Sequence, residues 1–496
     1  MSPETPRKPG RQKPRLPDHR DLFYGGKWHA PASARHVDVK NPATGESLGN
    51  VADPSPEDVD RAVDAASAGF AEWRRVPPLE RAAILRRLAG VIRDNAYELA
   101  LLDAVDGGNP VREMVGDAAV AAAQIDFFAG LVTEMKGASI PMGPERLNFS
   151  IREPLGVVAR IIPFNHPFMF AAGKAAAPLA AGNTIVIKPP EQAPLSSLRL
   201  AELAGGLFPA GVFNVVPGGR DVGAALSQHP GVAKVALIGS VTAGRAVMAA
   251  ASKTLKSVLL ELGGKNALIA FPDADPDEVA GAVVAGMNFT WCGQSCGSTS
   301  RAFLHDSLYE KVVQRLAARC APYRPGLPDD PETTMGAIAS QQQFDRILDF
   351  IASAKTEGAR LVCGGGRPAD PKLKNGWFIE PTVFADVSVG MRIAREEIFG
   401  PVLSVLRWSD EATMIGQVNA VEYGLTCSIW TNDISVACRT AGAVDAGYVW
   451  INEVGRHFLG APFGGVKQSG IGREECLEEL LAFTREKNIH VRIRGA

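Results

Sequence analysis

The chain has 496 residues, 46% of them apolar and 21% charged, with acids and bases nearly balanced at a net charge of −2. That is too long for one small core and, at roughly 100 to 200 residues per domain, predicts two to four units of an ordinary soluble globular kind. Charges of both signs are interspersed, so no global field argues for nucleic acid or an acidic membrane as partner.

Residues 1–20 are rich in Pro, Arg and Lys without an apolar stretch, and read as a disordered basic arm rather than a secretory signal. No apolar run approaches the length of a membrane span. The seven cysteines (Cys292, Cys296, Cys320, Cys363, Cys427, Cys438 and Cys476) are odd in number, scattered and never in a CxxC pair. This argues against a disulfide framework and a zinc ribbon, leaves no metal site to expect, and points to a reducing, cytoplasmic compartment.

After the arm, Leu22 to Ala66 reads as short extended pieces broken by Gly25-Gly26, Asn41-Pro42 and Asp53-Pro54. Ser55-Pro56-Glu57-Asp58 is a helix start, and helices run to about Lys136. Ile84, Leu85, Leu88, Val91 and Ile92 recur there at helical spacing. From Gly156 the pattern changes to short apolar runs separated by helical stretches: Val157 to Ile162, Thr184 to Ile187, Val212 to Val216, Val235 to Ile238 and Val258 to Leu260. Such runs predict a parallel sheet covered on both faces, with ligands at the carboxyl ends of its strands. Beyond Lys265 the alternation starts again (Ala267 to Phe271, Ala302 to Leu304, then a helix from about Ser307 to Cys320), so a second α/β unit and a site between the two units are expected.

Each predicted strand end is polar or glycine-rich. Gly239 and Ser240 open a helix whose free N–H groups could hold a pyrophosphate, or merely cap it. Lys188 and Glu191 could meet the hydroxyls of a ribose, or form a surface ion pair. Asn165 offers an amide donor for an oxyanion, or makes a turn; Glu261, before two glycines, is a general base or a solvated acid. His166 reads as a satisfied polar residue rather than a base. Cys296, in GQSCGSTSR (293–301), has small polar neighbours that leave its sulfur approachable, although most free cysteines are buried and inert.

Taken in order, PFNHP (163–167), KPPEQAP (188–194), GSVTAG (239–244), ELGGKN (261–266), GQSCGSTSR, EEIFGPV (396–402) and PFGGVKQSGIGRE (462–474) resemble the aldehyde dehydrogenase superfamily, over nearly all of the chain from Asp21. The resemblance implies an α/β fold with a Rossmann-like cofactor domain (21–137 and 155–262), a catalytic domain (263–478), and a small β bridge (138–154 and 479–496) that joins subunits into a homodimer or homotetramer. It implies oxidation of a small-molecule aldehyde to an acid, with Cys296 as nucleophile, Asn165 in the oxyanion hole, Glu261 as the base for thioester hydrolysis, and Lys174 and Glu474 as a proton relay. Lys188, Glu191, Gly239 and Ser240 would contact the adenosine and pyrophosphate of NAD, and Glu397 with Phe399 the nicotinamide ribose. A carboxylate at Glu191 would repel a 2′-phosphate, favouring NAD over NADP, with Lys188 keeping some NADP use open. Cys292 matches no family role; it is an inert neighbour of Cys296 or an oxidation partner.

The departures from the family pattern concern substrate. His166, Gly173, Arg456, His457 and Phe463 fall at the expected tunnel, and Gly173 stands where the family often has Trp. A wider, more polar tunnel follows, suited to a bulky, polar or anionic aldehyde, while an aromatic cage for a quaternary ammonium looks poorly supplied. The alternatives are a CoA-acylating semialdehyde dehydrogenase, against which Glu261 counts, a cysteine hydrolase, for which no His partner is in evidence, and a non-enzymatic binding protein.

Overall fold

A computed structural model describes residues 13–493. Residues 1–12 of the predicted arm lie outside the described residues. Residues 13–20, counted with the arm from composition, are instead packed on the body: Leu16 contacts the core, Pro17 is buried, the His19 ring stacks on Trp28 at 4.8 Å, and Arg20 binds the Leu48 carbonyl. Composition misses this because a few contacts anchor an otherwise polar segment.

The first sheet has eight strands. Its parallel centre runs Phe213–Val215, Thr184–Lys188, Val157–Ile161, Val232–Gly239 and Ser257–Leu262. Antiparallel Leu22–Tyr24 and Lys27–His29 extend one edge, and Gly470–Ile471 pairs with the other. The apolar runs are buried on both sides because alternate residues enter different cores. Val158, Ile185, Ile187, Ala236 and Leu259 face one, and Val157, Ala159, Val186, Leu237 and Leu260 the other. Successive strands are added on one side of Val157–Ile161 and then, after Phe213–Val215, on the opposite side. The crevice between Val157–Ile161 and Val232–Gly239 is therefore the topological switch point at which such sheets take ligands.

The second sheet, of seven strands, is likewise parallel through Thr382–Ala385, Val402–Trp408, Arg301–His305, Ala267–Ala270, Thr426–Trp430 and Tyr448–Ile451, with Arg360–Cys363 antiparallel at one edge. Ile269, Phe303 and Ile429 enter one core, while Leu268, Ala302 and Leu304 enter its opposite. Ser139–Pro141, Arg146–Pro154 and Thr484–Arg492 form a separate antiparallel sheet.

Several strand ends shift from their predicted positions. Glu261 lies inside the Ser257–Leu262 strand rather than beyond it, and Gly470 pairs opposite it. Gly470 has φ +144, and a Cβ there would fall 2.1 Å from the Leu260 carbonyl, so only glycine allows this close return. That return carries 470–471, within the predicted catalytic segment, back to the first sheet. Among the described residues no helix is long and apolar enough to cross a membrane.

Candidate active site

A cavity of about 430 Å³ opens between the two sheets, within the usual size of small-molecule sites. Cys296, Glu261 and Asn165 all line it, although they come from three separate segments. Cys296 sits in the loop before Arg301–His305. Asn266, at the start of the Ala267–Ala270 strand, donates its amide to the Cys296 carbonyl at 2.6 Å and to that of Ser298 at 3.0 Å, and its Oδ1 accepts from the Thr426 backbone at 3.0 Å. One side chain thus fastens the thiol loop to two strands of the second sheet. Gly264 permits the approach, since a Cβ there would lie 2.8 Å from the Cys296 carbonyl.

Burial pushes the Cys296 thiol well above its ordinary pKa, and the nearby carboxyl of Glu261 adds to the rise. Glu261 is itself buried with Oε1 unpartnered, and burial followed by the charge of Glu474 raises it to about 8. Asn165 is buried; its carbonyl accepts from Asn109 at 2.7 Å, which sets the backbone while the side chain faces the cavity.

Behind Glu261 lies a buried ionic cluster. Glu474 meets Lys174 at 3.0 Å and Arg160 at 2.5 Å, and Lys174 reaches Glu475 at 3.6 Å. Burial alone would raise the pKa of Glu474, but the two cations overcome it and hold the carboxyl at about 2. Burial likewise opposes the charge on Lys174, and the surrounding carboxylates raise its pKa nonetheless.

On the switch-point side, Ser240 caps the Val241–Ser252 helix, its Oγ accepting from the Ala243 N–H at 3.2 Å, with Gly239 ending the strand before it. Lys188 is buried at its strand end, where desolvation lowers it to about 8 against the pull of Glu191. The Glu191 carboxylate lies over Gly219, 2.5 Å from where a Cβ would be. Glu397 accepts from the Gly264 N–H at 2.9 Å and covers Gly263, and Phe399, at φ +55, meets Phe164 edge-on at 5.7 Å.

Of the predicted tunnel residues, His166 and Phe463 are buried in the cavity wall, and His457 reaches Glu475 at 3.2 Å. Arg456 is an exposed rim residue 3.4 Å from Glu453. Gly173 does not widen the tunnel. A Cβ there would fall 2.1 Å from Gln124 Oε1, so the space it leaves is filled by Gln124, and Gln124 lines the cavity instead. Cys292 faces away into the second core, its thiol 3.6 Å from the Ala337 carbonyl. Sequence reasoning passed over Arg160, Asp117, Gln124 and Trp291. Of these only Arg160 carries a signal, being a lone charge inside the apolar run VVARI.

A model of the aldehyde dehydrogenase family matches residues 28–489. The chain is 52% identical over 489 residues to the aldehyde dehydrogenase tropH of Talaromyces stipitatus, covering 97% of this chain and 95% of that one. Among solved structures it is similar to the NAD+ complex of an aldehyde dehydrogenase from Bacillus cereus (38% identity, TM-score 0.93, 96% and 97% of the two chains). It is equally close in shape to the indole-3-acetaldehyde dehydrogenase AldA of P. syringae, solved as a mutant with NAD+ and IAA (36% identity, TM-score 0.93, 96% and 97%).

Proposed function

Because the chain belongs to the aldehyde dehydrogenase family and is an aldehyde-oxidising enzyme, we propose that it works with NAD through a covalent acyl intermediate on Cys296. The observation that carries this reading is the convergence of Cys296, Asn165 and Glu261 on one cavity from three segments. The thiol rests protonated, so its attack needs a base, and the carboxylate form of Glu261, which lines the same cavity beside Cys296, is placed to take that proton. The sulfur adds to the carbonyl carbon, and the Asn165 amide meets the oxygen as its charge develops.

The crevice suits a dinucleotide. A helix N-terminus stands at Ser240, and the carboxylates of Glu191 over Gly219 and of Glu397 over Gly263 are placed to accept from ribose hydroxyls. NAD held there by Lys188, Glu191, Ser240, Glu397 and Phe399 supplies the hydride acceptor that the oxidation needs. Once Glu261 has given up the thiol's proton, its carboxylate takes a proton from water, the water oxygen adds to the acyl carbon, and the C–S bond breaks, the proton on Glu261 returning to sulfur as the carboxylic acid and the Cys296 thiol are freed. Lys174 and Glu474 stand behind Glu261 on the path by which its proton leaves, Glu474 taking it only in passing because Lys174 and Arg160 hold that carboxyl ionised. Glu191 favours NAD over NADP, and the presence of Glu261 favours water over CoA as acyl acceptor.

The proposed division is a cofactor domain (21–137 and 155–262), a catalytic domain (263–478) and a bridge (138–154 and 479–496); the two parallel sheets and the separate antiparallel one support it, while 470–471 and the core residues Leu480 and Phe483 pack with the first domain. The bridge leaves Ile140, Leu147, Ile151 and Val491 exposed, which supports its use as a subunit contact in a homodimer or homotetramer. The test is Cys296→Ala beside Glu261→Gln. The first abolishes turnover while calorimetric NAD binding persists; the second slows the single-turnover burst of NADH, through loss of the thiol's base, and loses steady hydrolysis altogether. Substantial turnover by Cys296→Ala, or acyl-CoA as the product, would sink the proposal.

A further inference from the structure

His166 follows Asn165 directly, so the oxyanion amide and the imidazole enter the cavity from consecutive residues. The backbone around them is pinned twice, by Asn109 on the Asn165 carbonyl and by Asp103 accepting from the Phe168 N–H at 3.0 Å. The His166 Nδ1 lies 2.7 Å from Asp117 Oδ2, with both side chains buried. With Nδ1–H given to a carboxylate, the ring has an Nε2–H left to donate only as the imidazolium, the form that the buried Asp117 carboxylate beside it favours. Burial opposes the charge on His166, but Asp117, helped by Asp103, outweighs it and raises the pKa. Glu113 also lines this wall, while the cavity cations are taken up elsewhere, Arg456 by Glu453 and Lys174 by Glu474 and Glu475.

The ring is held edge-on by Trp291 at 4.7 Å and Phe170 at 5.7 Å, and Phe463 and Trp450 line the cavity too. Flat apolar walls of this kind suit a planar ring or conjugated chain. Resting on the aldehyde-oxidising reading above, we propose that His166, oriented by Asp117, is a specificity-determining residue that donates from Nε2 to an oxygen acceptor on an aromatic or conjugated aldehyde. A site built to donate a hydrogen bond discriminates against the analogue lacking the acceptor, because the buried donor is then left unpaired.

The test compares benzaldehyde with the hydroxybenzaldehyde isomers and the carboxybenzaldehydes, read as kcat/KM with NAD; the two series separate a neutral from an anionic acceptor. In the wild type the best oxygenated aldehyde exceeds benzaldehyde by at least ~10-fold. His166→Phe collapses that ratio, and His166→Gln, which retains an N–H donor, restores part of it. A residue that only supports the fold would lower both substrates together and leave the ratio unchanged. A wild-type ratio near one, or a ratio preserved in His166→Phe, overturns the inference while benzaldehyde oxidation keeps the parent reading standing. Absence of NAD-dependent turnover across the whole panel overturns both.

Discussion

Arg160 and Glu474, 314 residues apart in the chain, meet at 2.5 Å with both side chains almost wholly shielded from solvent. The arginine comes from the central strand of the first sheet, and the glutamate from the segment that returns to pair beside Glu261. Lys174 takes the other Glu474 oxygen at 3.0 Å. Two buried cations on one carboxylate keep Glu474 ionised while its charge helps hold the proton on Glu261. Environment has pushed two neighbouring carboxyls to opposite ends of their range, about 2 and about 8, as acid–base sites do.

Removing Arg160 leaves part of that charge uncompensated. Arg160→Met is expected to destabilise the fold by about 3–5 kcal/mol, the usual cost of breaking a buried ion pair from one side. Urea denaturation midpoints at constant slope measure it. A loss within ~0.5 kcal/mol, typical of surface substitutions, would show that Lys174 alone compensates Glu474.

The raised pKa of Glu261 has two consequences with opposite value to the protein. Its carboxyl ordinarily titrates near 4.5 and in the fold near 8, so across that window the folded chain holds a proton that the unfolded chain has released. Its contribution to stability is complete below the lower value and is lost as pH rises through the upper one. Glu261→Gln should therefore gain melting temperature over the wild type, and the gain should grow from about pH 4.5 to about pH 8 and level off above it. Thioester hydrolysis by the wild type should rise through about pH 8 as the base forms. A pH-independent difference in melting temperature would remove the burial argument.

Gly173 and Gln124 form a steric pair. Gly173→Ala places a methyl where Gln124 Oε1 now lies, so the amide must move, at ~1–3 kcal/mol. Because Gln124 lines the cavity, KM for a bulky aldehyde should rise as well. Adding Gln124→Ala should relieve both effects, and a double-mutant cycle reads the coupling directly. Simple additivity of the two changes would show that they do not share the space.

Cys296, Asn165, Glu261 and the cofactor-side residues can be read from sequence because their local settings announce them. Each stands next to an apolar run or in the loop leading into one, beside glycines or small polar residues, and their order along the chain is that of a known family. The apolar runs likewise determine two parallel sheets, since strands buried on both faces must be apolar at every position. Asp117, Gln124 and Trp291 have no such mark. Asp117 and Gln124 lie on the Val111–Gly130 helix, where an acid or an amide reads as an ordinary surface residue until the tertiary fold buries it against His166 and Gly173. Arg160 carries a partial mark, a charge within a core strand, but its partner is fixed only when Gly470 brings the C-terminal segment onto Glu261. The chemical groups at the strand ends are thus legible in the motifs alone. Which of them are dehydrated and paired is settled by folding, because burial and contact depend on segments hundreds of residues apart, and those two quantities set the protonation state of each group.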